Sequence, residues 1–256
     1  MKIIPFAFPE EWAELELYPL NDLHIGDPKT DLSLFRRFVN HIKEKPNRII
    51  VCVGDLINNA IKTSVSNVYN ETMPPNEQRK FIVEELRPIK DRILCFVSGN
   101  HEYRSKKDVD LNPVEWIADK LGIEHYSEDE MALKISVGKS TVNGKPIPYG
   151  IYLTHGNGGG KRPGSALNNL ELLALTLENV DIIIIGHAHK RIGYRFTCRS
   201  FDYQNKRLTP VEKLCVVSSA WQEYGGYAVR KMMIPGCKGT EPIILSGKEK
   251  KARAMI

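Results

Sequence analysis

Three runs in this chain are apolar on both faces: Arg48-Ile-Ile-Val-Cys-Val53, Arg92-Ile-Leu-Cys-Phe-Val97 and Asp181-Ile-Ile-Ile-Ile185. Runs of that kind read as strands covered on both sides, so a chain carrying them must layer other elements over each face of a sheet. The segments between them can supply that cover. Residues 31–43 place Leu32, Leu34, Phe35, Phe38, Val39 and Ile42 near the helical period, and residues 77–90 read as helix until Pro88. Asn112-Pro113 opens a further helix that ends near Gly122, with proline well placed in the first turn. A leucine-rich helix is expected over 168–179. Residues 14–20 alternate as a strand; the polar stretch 58–76 reads as an excursion with a short helix, and Asn76 as a cap for the helix after it. In the second half, residues 131–154 hold two alternating strands around Asn143-Gly144, a hairpin signal. Antiparallel strands are expected over 191–235, turning near Asn205 and Gly225-Gly226. The chain of 256 residues, 42% apolar, can fill a sizeable core. These patterns predict a mixed α/β fold, a four-layer α-β-β-α sandwich of two mixed β-sheets flanked by helices, as a single domain over residues 1–256.

The buried runs end in chemistry. Asp22-x-His24, Gly54-Asp55, Gly99-Asn100-His101-Glu102, Thr154-His155-Gly156 and Gly186-His187-x-His189 each sit at or just after the end of an apolar run. The chain has seven histidines, and five fall in this series; His41 and His125 read as ordinary structural or surface residues. Open α/β sheets gather their ligands at the carboxyl ends of strands, so these clusters are expected to converge. Carboxylates suit hard divalent ions, and imidazole suits zinc, manganese, iron or nickel. One carboxylate with two oxygens can bridge two ions about 3.5–4 Å apart, and such a pair generates hydroxide at neutral pH.

The five blocks resemble those of the calcineurin-like metallophosphoesterase superfamily: D-x-H, G-D-x-x-[DN], G-N-H-[DE], an isolated His, and G-H-x-H. The resemblance runs from about residue 17 to 190, and the strands beyond 190 fit the family's second sheet. It implies two divalent metal ions, manganese first, with iron, nickel or zinc also accommodated. One would be held by Asp22, His24, Asp55 and His189, and the other by Asp55, Asn100, His155 and His187, with Asp55 as the bridge. It further implies a metal-bridging hydroxide that attacks phosphorus, while His101 protonates the leaving oxygen. Glu102 would orient the loop or the ring, and Asn58 would steady the site.

One departure narrows the expected substrate. Phosphoprotein phosphatases of this superfamily extend the second block as Gly-Asp-x-x-Asp-Arg-Gly. Here it reads Gly54-Asp55-Leu56-Ile57-Asn58-Asn59-Ala60, without the phosphate-clamping arginine. A phosphodiester substrate is therefore expected ahead of a phosphoprotein or another phosphomonoester. Arg104, Lys161 and Arg162 are candidate substrate contacts. The stretch His155-Gly-Asn-Gly-Gly-Gly-Lys-Arg-Pro-Gly164 fails the phosphate-loop pattern, because His155 stands where its first glycine belongs and no Ser or Thr follows Lys161. It reads as a flexible loop beside the metals, and residues 156–166 are expected to form a cap with 56–76 and 103–112.

A DNA or RNA nuclease is the alternative enzyme, although the net charge of +5 tolerates a polyanion without demanding one. A non-catalytic scaffold is a third reading, disfavoured because every expected ligand is present. Much of the basic excess lies in residues 247–253, read as a solvated end. No apolar run approaches the roughly 18–20 residues of a membrane span, and residues 1–12 lack the apolar core of a secretory signal. Five cysteines without a CxxC pair suggest a reducing, cytoplasmic setting. The sequence leaves the oligomeric state open.

Overall fold

A computed structural model describes residues 1–64, 67–157 and 160–256. In chain order the elements are β1 Ile3–Ala7, β2 Glu14–Leu20, α1 Leu32–Lys43, β3 Arg48–Val53, α2 Pro75–Leu86, β4 Ile93–Val97, α3 Asn100–Val109, α4 Pro113–Leu121, β5 Tyr126–Ser127, β6 Glu130–Val137, β7 Ile147–Thr154, α5 Pro163–Thr176, β8 Ile182–Ile185, β9 Ile192–Asp202, β10 Arg207–Val217, α6 Tyr227–Arg230, β11 Ile243–Ser246 and β12 Ala252–Ala254. They form two six-stranded sheets, ordered β12-β11-β2-β3-β4-β5 and β1-β6-β7-β8-β10-β9. In the first sheet β2, β3, β4 and β5 run parallel; in the second β7, β8 and β10 do.

The two-sided apolar runs explain the layering. In β3, Ile49, Val51 and Val53 pack with Leu133, Ile135, Ile151, Leu153, Ile182 and Ile184 of the other sheet, forming the core between the sheets. Ile50 and Cys52 face the opposite way, against Phe35 and Phe38 of α1, Ile82 and Leu86 of α2 and Ile117 of α4. On the far side, Tyr152, Ile183, Cys215 and Val217 pack against Ala166, Leu170 and Ala174 of α5. Helices, sheet, sheet and helix are the four layers that the sequence predicts.

Helix ends follow local chemistry in part. Asp31 caps α1 by accepting the Leu34 N–H at 2.9 Å, and Asn112 caps α4 through Val114 and Glu115. Asn76 does not cap α2. That helix starts at Pro75, whose ring already fixes the first turn, and Asn76 accepts from Arg79 instead. The helix ends at Leu86, and residues 87–92 continue as 3-10 turns. Within the 58–76 excursion the expected short helix is a single 3-10 turn, Val68–Asn70.

The second half differs more. Asn143-Gly144 lies within the nine residues joining β6 to β7, rather than in a two-residue turn. The fifth helix starts five residues earlier than expected, at Pro163. Within 191–235 strand pairing stops at Val217, apart from a bridge between Thr30 and Gln222, and Gly225-Gly226 lead into α6. The basic tail is not simply a solvated end. Gly247 donates to Ala13 O, Lys250 pairs with Asp181 at 2.6 Å, and β12 extends the first sheet beyond β11. Among the described residues, no helix is long and apolar enough to cross a membrane.

Candidate metal centre

All five sequence blocks lie at the carboxyl ends of strands: after β2, β3, β4, β7 and β8. The parallel pairing of β2 with β3 continues past the strands into the loops. Asp22 N donates to Gly54 O, His24 N to Asp55 O and Ile25 N to Leu56 O, each at 3.0 Å. The two sheets are joined at the same place, where His187 N donates to Asp22 Oδ2 at 2.9 Å, and within the second sheet Gly186 N donates to His155 O at 3.1 Å.

The loop backbones are unusual. Asp22, His24, Asp55, Asn59, His187 and His189 all have φ between 47° and 60°. This left-handed region is sparsely used by residues other than glycine and is held only where surroundings over-determine it. Here it turns consecutive polar side chains inward at the strand ends.

Three clusters result, each with its donor atoms within 4.8 Å: Asp22, His24 and His189; His24, Asp55 and His101; and Asp55, His155 and His187. Asp55 Oδ2 lies 3.2 Å from His155 Nε2, 3.8 Å from His101 Nε2 and 3.9 Å from His24 Nε2. Asp22 Oδ1 lies 3.0 Å from His189 Nε2 and 3.6 Å from His24 Nε2. Asn100 Oδ1 lies 2.7 Å from His187 Nδ1 and 3.2 Å from His155 Nε2. The seven residues expected as ligands are thus brought together, and His101 stands among them.

The donor set fits cations. Asp22 Oδ1 and His24 Nδ1 are buried without a hydrogen-bond partner, an expensive state for polar atoms unless something further satisfies the site. Imidazole nitrogens face each other, His24 Nε2 to His189 Nε2 at 3.1 Å and His155 Nε2 to His187 Nδ1 at 3.3 Å. His155 Nδ1 lies 2.8 Å from Val53 O, which orients Nε2 into the cluster. Burial alone would raise Asp22, but the facing His189 and His24 hold its carboxyl well below the usual range. Burial likewise works against a charged His155, and the neighbouring Asp55 outweighs it, lifting the imidazole to about 10.

Glu102 has a role that its place in the motif only hinted at. Its side chain is fully buried, and its carboxylate accepts Asp55 N and Gly99 N at 2.9 Å and Ile57 N at 3.1 Å. It therefore laces the Gly-Asp loop to the first turn of α3. That helix was not expected from the sequence, which shows the block as a strand end only. At Gly99 any Cβ would lie 2.1 Å from Asp55 Oδ1, so the close approach requires glycine.

Asn58 steadies the neighbouring histidine through its backbone. Its carbonyl lies 2.7 Å from His101 Nδ1 and accepts Arg104 Nη1 at 3.2 Å. Lys161 and Arg162 are exposed at the start of α5, with no side-chain bond to the cluster. Lys190 Nζ instead donates to the carbonyls of Gly160 and Arg162 and ties that loop down. Gly158 and Gly159 of the glycine-rich loop, and Val65 and Ser66 of the 56–76 cap, lie outside the described residues. Asn21, Asn59, Glu71 and Gln78 surround the site and were not singled out for it. Asn21 alone carried a signal, as a polar residue ending a buried strand; its amide bonds to Asp22 and to the Ser218 and Ser219 carbonyls.

Fold and donor set together define an α/β protein with side-chain clusters fit for divalent metals. The family model for calcineurin-like phosphoesterases matches residues 20–191, and the chain belongs to that family. No curated protein matches the sequence. Among solved structures, it is similar to the NAD nucleotidase of Haemophilus influenzae at 12% identity and a TM-score of 0.42, over 95% of this chain and 49% of that one. The chain thus spans about half the length of that nucleotidase. A predicted phosphoesterase of Streptococcus pneumoniae is similar at 12% identity and a TM-score of 0.40, over 95% of this chain and 90% of that one. A nuclease of Pseudomonas putida is similar at 13% identity and a TM-score of 0.35, over 93% and 87%.

Proposed function

We propose that this chain is a dinuclear metal-dependent phosphoesterase that hydrolyses phosphodiesters. The observation that carries the reading is the position of Asp55, one buried carboxylate shared by two histidine clusters. One metal would be held by Asp22, His24, Asp55 and His189, the second by Asp55, Asn100, His155 and His187. Such a pair, when bound, acidifies water and polarises the phosphoryl oxygens. Manganese heads the metals that this Asp/Asn/His set accommodates, with iron, nickel and zinc behind it. The chain acts as one domain, since both sheets supply the site. Its five cysteines, of which Cys52, Cys95 and Cys215 are buried thiols, support a reducing, cytoplasmic setting.

The protein's own residues supply orientation and the proton. The Asn58 carbonyl takes the Nδ1 hydrogen of His101, which leaves Nε2 as the atom that faces the clusters. Burial outweighs the nearby Asp55 and draws this imidazole down to about 3, so it is neutral before substrate binds. A phosphate ester brings negative charge beside it and favours the imidazolium, so substrate and proton arrive together. Nε2 then protonates the departing oxygen. Arg104, which donates to the same carbonyl, is the candidate contact for a phosphate oxygen. The preference for diesters is supported by Asn58-Asn59, which sends no guanidinium toward the extra charge of a monoester.

The deciding experiment reconstitutes the protein with manganese or zinc and offers phosphodiesters, phosphomonoesters, cyclic nucleotides, DNA and a phosphoprotein. Diesters are expected to turn over fastest. His101→Asn is expected to lower turnover about 100- to 10,000-fold with metal content unchanged. Preferential hydrolysis of the phosphoprotein, or no turnover of any ester, would overturn the reading.

Metal uptake should also release protons. His155 is protonated at neutral pH without metal, because its pKa stands at about 10, and a ligating imidazole must be neutral. Affinity is therefore expected to rise with pH from 7 toward 10. Calorimetry in buffers of different ionisation enthalpy should register about one proton released at pH 7 from this residue. Uptake with no proton release would contradict His155 as a ligand.

A further inference from the structure

We infer that Glu71, acting with Gln78, is a positioning residue for His101. The proposal rests on the phosphoesterase reading above, in which His101 protonates the leaving group. Glu71 belongs to the excursion between the second and third sequence blocks, and its carboxylate reaches back to the site. One oxygen accepts Asn58 Nδ2 at 2.6 Å, and the other accepts Gln78 Nε2 at 2.7 Å. Gln78 projects from α2, is fully buried, and accepts the Asn59 N–H at 2.8 Å while donating to Met73 O at 2.8 Å.

The two residues held in this way both hold His101, alongside Asp55, which accepts its backbone N–H at 2.8 Å. Asn58 takes the imidazole Nδ1 on its carbonyl at 2.7 Å. Asn59 Nδ2 donates to the His101 carbonyl at 2.7 Å and to Ser105 Oγ at 2.9 Å. Asn59 sits at φ 47°, a backbone state that needs such bonds to persist. His101 is thus fixed at its ring and at its main chain by a dipeptide whose own anchors are Glu71 and Gln78.

The same pair abuts the Asp-x-His loop. At Gly26, φ +108°, any Cβ would lie 2.1 Å from Gln78 Nε2 and 2.7 Å from Glu71 Oε2. Thr72, next to Glu71, donates to Gly26 O through both its N–H at 2.8 Å and its hydroxyl at 3.1 Å. Two motif loops therefore meet at one carboxylate–amide pair, and the third is reached through Asn58-Asn59. The second block carries Asn58-Asn59 where a phosphoprotein phosphatase would carry Asp-Arg, and in this chain those side chains are engaged in the network. A carboxylate accepting two amide donors forms stronger bonds than a neutral acceptor would, which suits a fixed reference point.

The test uses Glu71→Gln, which keeps shape but turns an amide donor toward one of the two amide donors, and Glu71→Ala. The first readout is the 15N spectrum of the His101 ring at pH 8 in zinc-loaded and in chelator-treated protein. Wild type is expected to show the Nδ1–H tautomer, and the variants a mixture of tautomers. The second is turnover of diesters with good and poor leaving groups. Loss of a well-placed acid is expected to slow an alkyl leaving group about tenfold or more and p-nitrophenolate less than about threefold, with KM and metal content unchanged. An unchanged His101 spectrum, or equal losses for both leaving groups, or a loss that follows metal content, would overturn the proposal. If Glu71→Ala does not fold, Glu71→Gln decides alone. If wild type hydrolyses no ester, the phosphoesterase reading falls, and the tautomer measurement still decides whether Glu71 positions His101.

Discussion

Replacing Asp55 by alanine is expected to abolish phosphodiester turnover, a loss of about a thousandfold or more, equivalent to about 4 kcal/mol of transition-state stabilisation. Asp55 is the one carboxylate common to two of the three donor clusters. Oδ2 faces His155, His101 and His24 between 3.2 and 3.9 Å, while Oδ1 accepts the His101 N–H at 2.8 Å. Alanine would remove the charge proposed to offset both metals and would leave the amide at the start of α3 without its acceptor. Metal content should fall below two ions per chain, and elemental analysis alongside turnover tests both losses. Near-normal turnover with two metals bound would sink the shared-carboxylate reading.

Glu102→Ala is expected to cost about 3–5 kcal/mol of stability, since it orphans three buried backbone donors worth about 1–3 kcal/mol each, some of which admitted water would satisfy. The N–H groups of Asp55, Gly99 and Ile57 would all lose their acceptor in a site with no exposure. For a chain of this size the melting temperature should fall by about 10 °C. Glu102→Gln should fall between wild type and alanine, because its amide group can serve only one end of the fork as an acceptor. Because the same bonds fix the Gly-Asp loop, metal affinity should drop about 10- to 100-fold in either variant, as it does when supporting partners of a metal site are removed. Thermal unfolding within about 2 °C of wild type for the alanine variant would show that Glu102 does not lace the two loops.

Much of the scaffold was legible because burial leaves a pattern. The strands β3, β4 and β8 follow from their two-sided apolar runs, α1 from its helical period, and α4 from Asn112-Pro113 and Gly122. The short strands were not legible. β1 and β12 lie at sheet edges and β5 has two residues, so neither alternation nor length marks them. β11 is buried but only four residues long, and it joins the first sheet by pairing with β2, more than 200 residues away in sequence. No local pattern records such a partner. The third helix was hidden for another reason: residues 100–109 are polar, with only Glu102 and Ser105 buried, so no apolar stripe announces it.

Legible along the chain is the set of atoms this protein has available: two aspartates, an asparagine and five histidines, each attached to a strand whose apolar faces demand burial. Burial forces the strands into a sheet, and the loops at their carboxyl ends must then gather on one edge. Tertiary structure alone decided how those atoms face one another. The left-handed φ values at Asp22, His24, Asp55, His187 and His189, the three amides on Glu102 and the reach of Glu71 to Asn58 are all set by contacts between separate loops. Periodicity reports only which face of an element is dry. The sign of a dihedral angle and the partner of a buried hydrogen bond depend instead on neighbours that only close packing brings together.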